Sequence, residues 1–395
     1  MPDLYAEALS LFEYSRAMRR DFHAHPELGF HEFRTAGIVA KELTALGLEV
    51  HTGVGGTGVV AILEGAKPGP VILVRADMDA LPINEETDAS YASLNPGVMH
   101  ACGHDGHTAT LLTVAKLLNT HREELGGTVK FMFQPAEEGM GGAEKMIDEG
   151  VLDNPHVDVT LALHVWNEKP VGWIGIASGP AMAGAEIFKI NVIGKGGHGA
   201  VPQFAIDPIL ASAQIISALQ GIVARNVAPL QTAVVSVCTI HAGETFNVIP
   251  PSVEMTGTIR TFEPAVRNLV LEHFTRTIKS VAEAFGCQVD IDVKQLTPAT
   301  INQPDISARV QVVAHQLFPN DDIDSTNYIT MGSEDFAYVL EKVPGCFFFV
   351  GSANPAKGLD AGHHHPKFDI DESALPKGAA IMAATVMDFL RPNGS

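Results

Sequence analysis

The spacing of apolar positions changes several times along the chain, and each change marks an element. The stretch MPDLYAEALSLFEYSRAMRRDFHAHPE carries apolar residues at helical steps and reads as an amphipathic helix. Phe33 to Leu48 is again helical and stops at Gly47. VVAILEG (Val59 to Gly65) and PVILVRADMDALP (Pro70 to Pro82) read as strands. The second is an apolar run into a pair of acids, as expected of a strand buried on both faces. His107 to Leu125 returns to the helical period. Thr128 to Gly139 is a buried strand ending in acids, and VTLALHVW (Val159 to Trp166) is another with a histidine near its end. These strands deliver polar groups at or beyond their C-terminal ends, where open α/β sheets place active sites.

The middle of the chain has a different rhythm. Glu186 to Gly194 reads as a strand, Asp207 to Val223 as a helix, and Thr232 to Ile240 and Ser252 to Phe262 as strands. In the last of these Val253, Met255, Gly257 and Ile259 alternate with Glu254, Thr256, Thr258 and Arg260. Val266 to Phe285 is a helix by its period, and Cys287 to Gln295 alternates again. The order β-α-β-β-α-β is the ferredoxin-like pattern. Residues 184–295 therefore read as an inserted domain within a chain otherwise of α/β character, with CFFFVG (Cys346 to Gly351) as a late buried strand.

A chain of 395 residues is too long for one ordinary core, which agrees with two domains. The net charge of -20 would repel nucleic-acid phosphates and anionic membranes, so neither is an expected partner. We find no signal-like n-region and no apolar run expected to span a bilayer. Cys102, Cys238, Cys287 and Cys346 have no framework spacing and suit reduced thiols, hence a cytoplasmic location. GVGGTG (Gly53 to Gly58) is a literal GxGxxG, but a strand-like segment follows it where a dinucleotide site needs a helix. A hairpin turn is the better reading.

Candidate chemistry gathers at four places. MHACGHDGH (Met99 to His107) crowds His100, Cys102, His104, Asp105 and His107 ahead of a helix. Cys and His serve buried structural and metal-binding roles alike, so the stretch alone does not decide. PAEEG places Glu137 beside Glu138 just after a strand, and adjacent carboxylates point apart. One suits a metal and the other a proton carrier; an ordinary acidic loop is the plain alternative. His164 ends an apolar strand, where a lone histidine is more often a satisfied core residue. In HHHPKFD (His363 to Asp369) two of the three histidines are expected to be bystanders. All four fall at strand ends or loops, and together they point to one site.

An ordered set of motifs spanning the chain resembles the M20 metallopeptidases, in the amidohydrolase branch of aminoacylases, hippurate hydrolases and auxin-conjugate hydrolases. It comprises FHAHPELGFHE, RADMDALPI, MHACGHDGHTATLL, FQPAEEG, LHVW, GKGGHGAVPQ, NVIP, GTIRTF, MGSEDFAY and HHPKFDIDE. The resemblance implies a mixed-sheet α/β catalytic domain over residues 1–183 and 296–395, with the ferredoxin-like α+β insert (184–295) as a lid and dimerisation domain. It implies two divalent metal ions, Zn²⁺ or Mn²⁺, with Co²⁺ or Ni²⁺ compatible with a thiolate ligand. Cys102 matches the bridging ligand, His104 and His164 the ligands of one ion, and Glu138 and His364 those of the other. Glu137 matches the general acid/base, and His198 a group that polarises the scissile carbonyl. Asn247 and Arg260 match substrate-holding groups, the arginine facing a free carboxylate. Asp77 stands where other branches carry a metal histidine, with His104 taking that role, and Asp79 matches its neighbouring aspartate. The implied reaction is hydrolysis of an N-acyl or N-aroyl amino acid to a carboxylate and a free amino acid. A carboxypeptidase or dipeptidase shares the chemistry; a catalytically idle metal-bound protein is the alternative from another class. The implied partners are the small-molecule substrate and a second copy of the chain through the lid's strand edges.

Overall fold

The computed structural model describes residues 2–325 and 328–391. The chain divides into two compact units: residues 1–181, 301–329 and 335–395 form one, and residues 182–300 with 330–334 form the other.

The first unit is built on an eight-stranded mixed sheet. Its strands run in the order Glu49–Val54, Gly58–Glu64, Gly126–Gln134, Lys67–Asp77, Val159–Pro170, Gly345–Ala353, Trp173–Gly175, Asp322–Asp324. The four central strands, from Gly126–Gln134 to Gly345–Ala353, are mutually parallel. They are also the apolar runs of the sequence, because a central parallel strand is covered on both faces. Register brings their ends together. Asp77 lies opposite Gln134, and Arg75 opposite Ala162 two residues before His164. The segments after Asp77 and Gln134 therefore leave the sheet at the same edge as His164.

The apolar run from Pro70 to Pro82 leaves the sheet at Asp77, earlier than its composition suggested. Asp77 is bonded instead to the helix His104–Thr120, whose Thr108 hydroxyl donates to its carbonyl at 2.8 Å. That helix is buried along most of its length and packs against Ala374–Phe389, which is also buried nearly all round. The glycine-rich GVGGTG joins two antiparallel strands, Val54 lying opposite Gly58. Gly53, Gly55 and Gly56 take φ of 79°, 66° and 109°, angles that L side chains resist. It is a hairpin turn.

The second unit has a four-stranded antiparallel sheet in the order Ala233–His241, Ser252–Thr261, Gly184–Ile193, Gln288–Thr297. With the helices Pro208–Arg225 and Pro264–Ala284 packed on it, this is the ferredoxin-like arrangement. Alternation along Ser252–Thr261 works as read: Val253, Met255 and Ile259 are buried in the core shared with both helices. One expectation is corrected. The helix Pro208–Arg225 is long and apolar enough to cross a membrane by length and composition, with mean hydropathy 1.2. In the structure Ala211, Ile215, Leu219 and Ile222 of that helix enter the core of the second unit.

Candidate metal centre

Cys102 sits in the loop immediately before the helix His104–Thr120. Gly103 makes that junction possible: its φ is +95°, and a Cβ there would fall 2.4 Å from a Val165 methyl. The loop can thus lie against the strand that carries His164. Glu138 comes from the turn after Gly126–Gln134, and His364 from the segment before Phe368. Ligand atoms of Cys102, His104 and His164 all lie within 4.8 Å of one another, and so do those of Cys102, Glu138 and His364. Cys102 Sγ is 3.5 Å from His164 Nε2, and His364 Nε2 is 3.2 Å from Glu138 Oε1.

Hydrogen bonds fix which nitrogen of each ring faces the cluster. His104 Nδ1–H donates to Asp79, at 2.9 Å to its carbonyl and 3.1 Å to Oδ1. Its Nε2 is left buried with no hydrogen-bond partner. His164 Nδ1–H donates to the Val165 carbonyl at 2.5 Å, turning its Nε2 toward Cys102. Asp79 reaches a second ligand as well, since its Oδ2 accepts the Glu138 N–H at 3.0 Å. Glu138 Oε1 is buried too, and faces His364 Nε2 at 3.2 Å. A buried polar atom left without a partner costs about 1–3 kcal/mol. His104 Nε2 and the Glu138 carboxylate, beside a thiol and the imidazoles of His164 and His364, make a donor set that fits divalent cations with nitrogen, oxygen and sulfur affinity. The rings are held from behind by an aspartate or a carbonyl, as metal-bound histidines are.

Neighbouring histidines differ in this respect. His107 donates from Nδ1 to Asp77 at 2.6 Å and accepts the Val165 N–H on Nε2 at 2.9 Å. Both of its nitrogens are used, so the nearby set Asp77, His104 and His107 is a hydrogen-bonded network, closed by Arg75 at 2.7 Å from Asp77. Nor is His363 an exposed bystander. It is half-buried against Trp166 and Phe368, accepts the Asn167 N–H at 3.1 Å, and turns Nδ1 toward Cys102 Sγ at 3.9 Å. His364 and His365 are both exposed. His364 takes φ +63°, and its ring meets Glu138.

The field in the cluster favours positive charge. Burial alone pushes His104 down, yet Asp77, Cys102 and the bond to Asp79 outweigh it and its pKa is raised. Cys102 and Glu138 raise His364 to about 10. Burial, then Glu138, pushes the Cys102 thiol up. His164 goes down, through burial and the adjacent His107 and His363, and His363 goes down to about 3, through burial first. A field that attracts protons to His104 and His364 also attracts metal cations.

Glu137 is buried beside this cluster, its ligand atom grouped with those of His104 and Glu138. Its Oε1 accepts the Asp335 N–H at 3.3 Å. Asp335 is itself braced by Gln134 Nε2 at 2.6 Å and the Ala143 N–H at 2.9 Å. Asp335 lies in MGSEDFAY, and nothing in that motif reveals a partner as distant in the chain as Glu137.

In the second unit His198 and Asn247 meet on a short ribbon. His198 pairs with Val248, and the Asn247 carbonyl accepts the Gly199 N–H at 2.8 Å. Arg260 lies on the sheet, where its Nε–H donates to Thr258 Oγ1 at 3.1 Å and partial burial lowers its pKa. The ribbon pair and the arginine are separate features of that unit.

The fold and the relatives of this chain define its class: it is a metal-dependent amidohydrolase. It belongs to the peptidase family M20/M25/M40, which residues 73–388 match. It is 42% identical to the N-acetylcysteine deacetylase of Bacillus subtilis, over 95% of this chain and 97% of that protein. It is 40% identical to thermostable carboxypeptidase 1 of Saccharolobus solfataricus, over 94% of each. Among solved structures it superimposes on the Bacillus subtilis YXEP protein, a dinuclear metal-binding peptidase of family M20. That match has TM-score 0.84 and 38% identity, and covers 96% of this chain and 99% of that one.

Proposed function

We propose that this chain hydrolyses N-acyl amino acids to a carboxylate and a free amino acid, with two divalent metal ions. The observation that carries the reading is the gathering of ligand atoms in two sets that share Cys102, one with His104 and His164 and one with Glu138 and His364, each within 4.8 Å, with His104 Nε2 buried without a hydrogen-bond partner and Glu137 alongside. Cys102, His104 and His164 would hold one cation and Cys102, Glu138 and His364 the other. When bound, such a pair supplies Lewis acidity and a water acidic enough to lose a proton near neutral pH.

The chain's own part is proton transfer and positioning. Glu137 takes the proton of the attacking water and returns it to the leaving nitrogen, a task suited to a carboxylate held in a largely water-free site. The Asp335 N–H fixes one oxygen of Glu137. Asp79 holds His104 and Glu138 from behind, so both ligands keep their orientation through the cycle. His198 polarises the scissile carbonyl, Asn247 holds the substrate, and Arg260 recognises its free carboxylate through a two-pronged pair. The thiolate ligand favours Zn²⁺, Co²⁺ or Ni²⁺, and Mn²⁺ stays compatible through the family. The deacetylase relative supports an acyl-amino-acid substrate. The carboxypeptidase relative supports a second reading of the same chemistry, in which the acyl group is a peptide. The free thiols at Cys102, Cys238, Cys287 and Cys346 support a cytoplasmic enzyme. The edge strands Ala233–His241 and Gln288–Thr297 support a homodimer or larger assembly.

The test is a hydrolysis panel of N-acyl amino acids against blocked dipeptides. Cleavage of the former with little of the latter is expected, and the reverse preference selects the peptidase. Glu137→Gln should keep its metal and lose about two to four orders of magnitude in rate; loss of metal would exchange the roles of the two glutamates. Arg260→Ala should cost roughly 2–4 kcal/mol in kcat/KM on free acids and far less on the methyl esters. Equal losses on both would remove the arginine from substrate recognition.

A further inference from the structure

The motif FHAHPELGFHE takes no part in the chemistry above, yet its residues converge on the turn that carries Glu137 and Glu138. Ala136 precedes them with φ +53°, a conformation that a residue with a Cβ adopts only when its surroundings impose it. Two bonds impose it here. The Ala136 N–H donates to Glu32 Oε1 at 2.8 Å, and its carbonyl accepts the Gly142 N–H at 3.1 Å. The other oxygen of Glu32 accepts the Thr57 hydroxyl. Gly29 closes the contact: a Cβ there would lie 3.1 Å from both Ala136 Cα and Cβ.

Glu32 is fully buried, and no arginine, lysine or histidine pairs with it among the described residues. Burying an acid without a cation is unfavourable, so the position needs a reason. Helix capping is not that reason. Glu32 occupies the N-cap of the helix Phe33–Ala45, but its side chain makes no capping bond. Glu27 does that work instead, accepting the N–H groups of Arg34 and Thr35 at 2.9 Å each. The Glu32 carboxyl is therefore free to reach across to Ala136.

We propose that Glu32 is a positioning residue for the reaction: it locks the left-handed turn at Ala136, and through that turn it sets the direction of Glu137. This rests on the reading of Glu137 as the proton carrier. The acceptor on Ala136 is what matters, and a glutamine can supply it. Its Oε1 would accept the Ala136 N–H while its amide donates to Thr57 Oγ1.

The experiment compares Glu32→Ala, Glu32→Gln and Glu137→Gln with the wild type, scoring kcat, KM, bound metal and thermal stability on an N-acyl amino acid. Glu32→Ala should lose about 10–100-fold in kcat, in the range seen when supporting residues are removed. Its KM should stay within about twofold and its metal content unchanged, because it acts through the proton carrier and not through a ligand. Glu32→Gln should recover most of the lost rate. A Glu32→Ala variant that melts early but keeps full kcat would make Glu32 merely structural and overturn the proposal. Lost metal would overturn it too, as would a Gln variant as slow as Ala. Should Glu32→Ala fail to fold, Thr57→Val removes the donor to Glu32 without emptying its space. A kcat decrease with KM held is then expected, and an unchanged kcat refutes the proposal. The underlying reading fails separately, if Glu137→Gln keeps wild-type rate or the wild type cleaves no N-acyl amino acid.

Discussion

Two buried polar clusters share the first turn of the helix His104–Thr120, and they solve the problem of buried charge in opposite ways. His104 faces Asp79, Cys102 and Glu138. Its neighbour Asp105 faces Arg19, an arginine with no exposed surface. The arginine bonds Asp105 at 2.7 Å and Asp369 at 2.6 Å, with Glu372 at 3.4 Å. Arg20 takes Glu372 at 2.8 and 2.6 Å, and His23 donates to Asp105 at 2.8 Å. Tyr91 donates to Asp369 at 2.8 Å. Here the protein supplies its own cations. The Arg19 and His23 bonds hold Asp105 ionised far below the usual carboxylate range, against the opposing effect of burial. Around Cys102, among the described residues, no arginine or lysine pairs with the ligand atoms, and the positive charge sits on His104 and His364, groups that can give up a proton to a metal. The contrast separates a structural network from the candidate metal site: both are rich in His and acid, and only the first is neutralised by arginines.

The largest expected effect is at Arg19. Arg19→Ala leaves Asp105 and Asp369 buried without their main cation and should cost about 3–5 kcal/mol in chemical denaturation. Bound metal per folded chain should stay the same. A variant that lost metal without losing stability would erase the distinction between the clusters.

Next comes the effect of metal on stability. With free Zn²⁺ a hundredfold above its dissociation constant, binding only to the folded state adds about 2.7 kcal/mol to the wild type. Cys102→Ala, which removes the thiol shared by both ligand sets, should show a markedly smaller shift in melting temperature. Equal shifts would place the added metal elsewhere.

The raised pKa values predict a direction with pH. At neutral pH the metal-free site holds protons on Cys102, His104 and His364, and a cation must expel them. Metal affinity should therefore rise with pH and fall on acidification, by about 1.4 kcal/mol per pH unit for each proton displaced. Calorimetry in buffers of differing ionisation enthalpy reads the proton release. Uptake of protons on binding would contradict the charge distribution described for the site.

The smallest effect sharpens the comparison most. In the metal-free protein Cys102→Ala should change stability by less than about 1 kcal/mol, because the thiol fills little space and holds no structural cation. A large loss would make Cys102 part of the scaffold.

Much of this was legible in the sequence. Buried central strands announce themselves as unbroken apolar runs, and the inserted unit by its change to strict alternation. The strand ends pointed to Glu137, Glu138 and His164, because polar residues there end such runs, while Cys102 stood out by the crowding of MHACGHDGH ahead of a helix. Less legible was whatever depends on partners far apart in the chain. His107 and His104 look alike in GHDGH, and only the Asp77 and Val165 bonds show that one is saturated. His363 and His364 are adjacent and identical in type, and a left-handed backbone angle decides which faces Glu138. Asp105 reads as another candidate ligand until Arg19, 86 residues away, is seen beneath it.

The central claim is that the ligand atoms gathered around Cys102 hold a pair of divalent cations. Elemental analysis or native mass spectrometry of protein loaded with Zn²⁺ and freed of excess tests it directly, on the wild type and Cys102→Ala. The account predicts two equivalents per chain in the wild type and the loss of at least one in the variant. A wild type that retains none, or a Cys102→Ala protein that still carries two, would contradict it.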